Sequence, residues 1–400
     1  MQKTGLFASR FARRVLSFAL RYTGWAPRLL VWLFRIIESS RSLHYASPKV
    51  TRANPVFVAM IGSRGVLRYA VAQWAQVLGV IGVVAIVPDR DQYWRPILPA
   101  QWQAMELSDV LVQYRGHEGR RPVVLYLENS SRNLELLGRL SGWRHIFLHH
   151  GESDKIASRV KSLRVYPESA VAGFAGVERL RAAGVRSQIH VVGRPQARVP
   201  EGDGANRARN YLLYAPTYEG LSGHEDYSSL RLFSEDLVDV ATKWNFELVV
   251  KFHPLAGKRR NDVRSAIEGW KRLAHERKIK MVAVDDDIRK LFPHVGLLLC
   301  DISSVACDFF PFEQPIIYTN PAQMSQCEYW DKFPTTRYAP VVGSASELNQ
   351  VLQRREWEAL HLSRSAVKKW TCAAFGEASL SRVLHVLEHG EPNVDCYDKS

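Results

Sequence analysis

The chain has 400 residues, five cysteines and a formal net charge of +14. That length exceeds one ordinary core and implies two domains. A composition of 46% hydrophobic and 24% charged residues, without low-complexity tracts or repeats at solenoid periods, excludes a disordered, fibrous or solenoid protein. The cysteines (300, 307, 327, 372 and 396) are odd in number and form no CxxC, which argues against a disulfide framework or a zinc quartet and fits a reducing cytoplasm.

The first 52 residues hold ten Lys or Arg against one acid, Glu38, so +9 of the net charge lies in this arm. Arg21, Arg28 and Arg35 recur every seven residues and interrupt its apolar runs. The most apolar charge-free stretch there, Leu29 to Phe34, falls far short of the roughly 20 residues that span a bilayer. Arg13-Arg14 ahead of apolar residues suggests a signal peptide, but Arg21 cuts the apolar region short and no small-residue cleavage site follows. Residues 1–52 are therefore expected to form a basic amphipathic arm on an anionic membrane surface, with Trp25, Trp32 and Phe34 at headgroup level and Pro27 dividing two helices. A helical arm packed on its own domain or a partner is the alternative. No nucleic-acid motif accompanies the charge.

Beyond the arm, strand-like and helix-like segments alternate. Strands are expected at 55–61, 82–87, 122–127, 144–149, 170–173 and 189–193, with helical patterns at 66–79, 130–140 and 174–183. EGDGAN at 201–206 reads as a linker. Strands near 211–215, 246–252, 280–284, 296–300 and 315–318 then alternate with helices near 228–244, 258–277, 303–310, 345–360 and 376–388. Such alternation predicts α/β domains with parallel sheets. The expected division is a Rossmann-like domain at 53–200 and a second at 207–390, facing each other across a cleft at their strand ends, which is the GT-B type of architecture.

Several strand ends carry chemistry. His149-His150-Gly151 follows the strand HIFL; a neutral imidazole there can take a proton from a hydroxyl, with Asp154 or Glu152 orienting it and Lys155 following in the same loop. His150 is the better candidate, because His149 is expected to continue the strand. Lys251-Phe252-His253-Pro254 ends the strand ELVVKF, and alternation places Lys251 and His253 on one side, suited to a diphosphate. Thr217, in Tyr-Ala-Pro-Thr, ends the first strand of the second domain within reach of a phosphate. Asp301, Ser303 and Ser304 follow the apolar run 297–300, where a helix would open and offer unpaired N–H groups to an anion. Gly62-Ser63-Arg64-Gly65 is a weaker loop signal for acceptor or phosphate, and Gly193-Arg194-Pro195 reads as structural. Asp285-Asp286-Asp287 reads as a helix cap with solvated acids rather than a metal site.

HHGESDK, VVGRPQ, LLYAPTYEG, LVVKFHP and LLLCDISSVACDFFPFEQPIIY, in this order over about residues 145–320, together resemble the CDP-glycerol glycerophosphotransferase family, which includes the primases and polymerases of wall teichoic acid. The resemblance implies a GT-B fold and work at the cytoplasmic face of the membrane. It also implies transfer of glycerol phosphate, or in relatives ribitol phosphate, from a CDP-activated donor to a hydroxyl of a lipid-linked or polymer acceptor, with release of CMP. Carried over, His150 becomes the base, with Gly151 and Lys155 supporting its loop. His253 becomes a second catalytic residue holding phosphates beside Lys251. Thr217, Asp301, Ser303, Ser304 and Asp308 line the donor. No cofactor is firmly implied, and a divalent metal is optional. Three positions depart from the family pattern: Glu152-Ser153-Asp154 replaces Thr-Pro-Leu, Ile302 replaces a common Tyr, and Glu219 replaces a common Arg. Rival readings are a GT-B glycosyltransferase using a nucleotide sugar and a non-catalytic scaffold of a polymer-assembly complex.

Overall fold

The computed structural model describes residues 56–88, 94, 97–114, 122–149, 151–199, 209–220 and 226–390. The basic arm, the linker at 201–206 and His150 lie outside the described residues. Continuous apolar runs make the central strands, as expected of parallel strands covered on both faces. VVAIV, for example, is buried at all five positions.

The first sheet has seven parallel strands: β1 (Val56–Ala59), β2 (Val83–Val87), β3 (Gln103–Glu106), β4 (Val123–Tyr126), β5 (Arg144–Phe147), β6 (Glu168–Val171) and β7 (Gln188–Val191). Their order is β3-β2-β1-β4-β5-β6-β7. The second sheet comprises β8 (Tyr211–Ala215), β9 (Glu247–Val250), β10 (Lys280–Met281), β11 (Val295–Cys300), β12 (Ile316–Thr319) and β13 (Val341–Val342), in the order β10-β9-β8-β11-β12-β13. In each sheet the order reverses beside the first strand, between β1 and β4 and between β8 and β11. Such switch points leave a crevice at the strand C-termini, where α/β proteins bind ligands.

Helices cover both faces. Ser63 caps the helix Arg64–Leu78, its hydroxyl accepting the N–H of Val66. That helix buries Leu67, Ala70, Val71, Trp74, Val77 and Leu78, a stripe at three- and four-residue spacing packed on Val58, Val83 and Leu125.

The domain boundary differs from the expected one. The helix Gly376–His389 follows the second domain in sequence but packs on the first: Val383 and Val386 share a core with Val58, Val123 and Leu125. The Arg144 guanidinium donates to the carbonyls of Val386 and Leu387, both at 3.1 Å, meeting the negative end of that helix. The crossing is tight at Gly193, whose φ of +86° and contact with the Ala374 carbonyl leave no room for a Cβ. Arg194 N donates to that same carbonyl at 2.8 Å. The unit expected at 207–390 therefore gives its last helix to the first domain.

Candidate active site

The two crevices face each other and enclose a cavity of about 330 Å³. On one side lie Val66 after β1, Glu128 after β4, and His149 and Gly151 after β5. On the other lie Tyr218 after β8, His253 after β9, and Ser303 and Ser304 after β11. The loops meet directly: a Cβ on Gly151 would stand 3.0 Å from the Ser304 hydroxyl, so a larger residue there would push the histidine loop off the second domain.

His149 does not continue the strand. β5 ends at Phe147, and His149 turns left-handed with φ 56°, a conformation uncommon for a side-chain-bearing residue. Its ring packs edge-on against Phe147 at 4.3 Å between centroids and lines the cavity, while its carbonyl accepts the Trp74 indole N–H at 3.2 Å.

His253 also lines the cavity. Its Nδ1 accepts the N–H of Leu255 at 3.1 Å, so the neutral ring carries its proton on Nε2. The ring lies 4.9 Å from that of Tyr218. This arrangement makes His253 a hydrogen-bond donor rather than a base.

A buried chain of polar groups supports the second-domain wall. Lys155 reaches across from the first domain and donates to the Thr217 hydroxyl at 2.6 Å. It also lies 5.0 Å from the centre of the Tyr218 ring. Thr217 N donates to Asp301 Oδ2 at 2.6 Å, and Asp301 further accepts the N–H of Ser229 and the hydroxyl of Thr319. Burial lowers the Lys155 pKa to about 8 and raises that of Asp301 to about 6, although the hydrogen bonds to Asp301 pull the other way. Asp301 and Thr217 thus sit beneath the cavity, holding Lys155 at its edge. Ser303 caps the helix Ser304–Phe309, its hydroxyl facing the N–H of Val305 at 3.5 Å.

Three expected placements are corrected. Lys251 does not share the cavity with His253: β9 ends at Val250, so alternation no longer governs the next residues. Its ammonium instead donates to the carbonyls of Ala283 and Val284 at 3.1 and 3.0 Å, and burial lowers its pKa. Asp308, expected at the donor, is buried in a pair with Arg194, whose Nε and Nη2 approach Oδ1 at 2.9 and 2.5 Å across the domain boundary. Asp154, expected to orient the base, accepts the N–H and hydroxyl of Thr335 at 2.8 and 2.6 Å and a guanidinium N–H of Arg179 at 2.8 Å. It fastens the histidine loop to the second domain.

Residues 193–389 match the model of the CDP-glycerol:poly(glycerophosphate) glycerophosphotransferase family. Those residues make up just under half of the chain, and their match marks the protein as a transferase of this type. No curated protein matches the sequence. Among solved structures, a histidine-to-asparagine variant of the wall teichoic acid polymerase TagF is 12% identical. That match covers 96% of each chain, with a TM-score of 0.55. Unaltered TagF is 12% identical over 84% of this chain and 88% of that one, with a TM-score of 0.55. S. aureus MnaA, solved with UDP, is 11% identical over 84% of this chain and 97% of that one, with a TM-score of 0.53. At such identities the likeness is one of fold, and it is the GT-B fold.

The three departures from the glycerophosphotransferase pattern have structural partners. Glu152 pairs with Arg179 and faces the N–H of Ala172 at 3.4 Å. Ile302 joins the second-domain core. Glu219 accepts the N–H groups of Gly257, Arg259 and Arg260 at 3.1, 2.9 and 3.1 Å, shaping the turn that carries Lys258 into the cavity.

Sequence reasoning missed Glu128, Tyr69 and Tyr218, which all line the cavity. Tyr218 had a signal, since it directly follows Ala-Pro-Thr. Glu128 had only its place after a buried strand beside the first strand of the sheet. Burial raises its pKa to about 7, against the opposing effects of the Ser63 N–H and the Arg132 charge.

Proposed function

We propose that the protein moves glycerol phosphate, or a related polyol phosphate, from a CDP-activated donor to a hydroxyl of a lipid-linked or polymer acceptor, releasing CMP. The observation that carries this reading is the grouping of His253, Lys155, Lys258 and the Ser303-Ser304 turn on one side of the cavity, mostly within the segment that matches the family. The acceptor oxygen attacks the phosphorus that bears the polyol, and the bond from that phosphorus to the bridging oxygen breaks. The proton passes to the His149-His150 loop, with His150 as the proposed base. His253 Nε2–H, Lys155 and Lys258 meet the charge that develops on departing CMP, the preorganised electrostatics that usually supply the largest catalytic term.

TagF, whose fold is shared, has been solved after soaking with CDPG, which favours a CDP-linked donor here. Among the described residues no helix is long and apolar enough to cross a membrane. The basic arm is proposed to hold the enzyme peripherally on the cytoplasmic face, through anionic lipid.

A donor screen tests the reaction. With purified full-length protein and a lipid-linked glycan acceptor, CMP release is expected from CDP-glycerol or CDP-ribitol and not from UDP-sugars. Sugar transfer from a UDP donor would replace this reading with a glycosyltransferase. A second expectation concerns His253. His253→Asn keeps an acceptor near the Leu255 N–H but removes the outer donor. It should lower kcat/KM for the donor by about 100-fold while the melting temperature stays within a few degrees. Activity within threefold of wild type would remove His253 from the mechanism.

A further inference from the structure

We propose that Glu128 and the aromatic wall beside it form an acceptor subsite that takes a neutral, polyhydroxylated end and turns away an end bearing a phosphate. The inference rests on the transferase reading above and names the acceptor class of that site.

Glu128 leaves the end of β4, next to β1, at the switch point of the first sheet. Its Oε2 accepts the N–H of Ser63 at 2.7 Å, which fixes the carboxylate against the start of the helix Arg64–Leu78. Gly62 makes this approach possible, because a Cβ there would collide with the carboxylate. Among the described residues the other oxygen, Oε1, has no hydrogen-bond partner in the protein. Tyr69 and Phe147 line the same cavity. A carboxylate with a spare oxygen beside aromatic faces suits the hydroxyls and C–H faces of a sugar or polyol.

The charge distribution opposes a phosphate at this wall. Lys155 belongs to the first domain, but its ammonium is bonded to Thr217 on the donor side. Lys258 and His253 stand on the second domain. A phosphate beside Glu128 would meet a like charge in a partly desolvated site, where the nearby Arg132 charge offsets burial too little to return the carboxyl to its ordinary range, and this selects by repulsion. A pKa near 7 leaves the carboxylate ionised in an assay at pH 8.

Binding without donor tests this separately from the donor screen. Hexyl glucoside and hexyl glucoside 6-phosphate differ by one phosphate. Calorimetric titration of the full chain at pH 8 should show hexyl glucoside binding at least about tenfold more tightly. In Glu128→Gln the phosphorylated probe should gain about tenfold, and in Glu128→Ala the neutral probe should lose about tenfold. Equal or tighter wild-type binding of the phosphorylated probe, or no binding of hexyl glucoside, overturns the proposal without recourse to variants. So does an unchanged ratio in a folded Glu128→Gln protein. A failed donor screen with intact probe preference would instead overturn the CDP-polyol reading and leave the subsite standing.

Discussion

Asp308→Ala is expected to destabilise the protein by about 3–5 kcal/mol, the cost of leaving one buried ion without its partner. Arg194 and Asp308 are 4% and 1% exposed, so the orphaned guanidinium would remain shielded from bulk solvent. Desolvation disfavours the charge on Arg194, and the Asp308 charge offsets this and raises its pKa overall. The pair joins the end of the first sheet to the helix Ser304–Phe309, so its loss loosens the domain junction and not merely one core. Urea denaturation followed by tryptophan fluorescence measures the effect. The double variant Arg194→Met with Asp308→Leu should recover most of the lost stability, since apolar replacements of a buried pair are often neutral or better. A single-variant loss below about 1 kcal/mol, as for a solvated surface pair, would show that the pair is accessible to water in solution.

That pair also shows where sequence reading ran out. The strand HIFL, the run LLLC and the turn after it announce themselves by apolar runs broken by His-Gly and Ser-Ser, and both turns stand at the cavity. What a side chain touches from 114 residues away has no local signal. Asp308 carries a pattern that fits a ligand contact equally well, and only the folded chain brings Arg194 to it. The same limit applies to the helix Gly376–His389. Its stripe of Leu380, Val383 and Val386 declares a buried face without saying whose core it enters. β3 was missed because QAME is an edge strand, half exposed and lacking an apolar run. β13 was missed because two residues make no pattern. Lys251 was misplaced because alternation was carried past Val250, where its strand ends, as far as His253. Glu128 was missed because one acid after a strand is common, and its distinction comes from Gly62, Ser63 and the aromatic wall folding around it.

Lys155 yields the sharpest pH dependence. The residue is 7% exposed, and its ammonium has no carboxylate within ion-pair distance among the described residues. Burial lowers its pKa to about 8 from an ordinary value of 10.5. Folding therefore disfavours the charged form. The charge costs stability in full below pH 8, and the cost fades as pH rises from 8 through 10.5, above which the lysine is neutral in both folded and unfolded chains. At neutral pH the cost is on the order of 3 kcal/mol. A residue kept charged at such a cost is a candidate for work on an anion. As far as Lys155 sets it, the free enzyme's kcat/KM for the donor should bend downward near pH 8, reach about half its pH 7 value there, and approach a fall of about tenfold per pH unit above about pH 9. Lys155→Arg, if active, should lose this break, because a guanidinium stays charged throughout. Lys155→Met should lower kcat/KM for the donor by about 100-fold at pH 7, yet leave the melting temperature unchanged or raised. A melting temperature that drops while activity holds would make Lys155 a structural tether to Thr217 and remove it from the donor site. The opposite pattern, higher stability with lost transfer, is what separates a group that holds the donor from one that holds the fold.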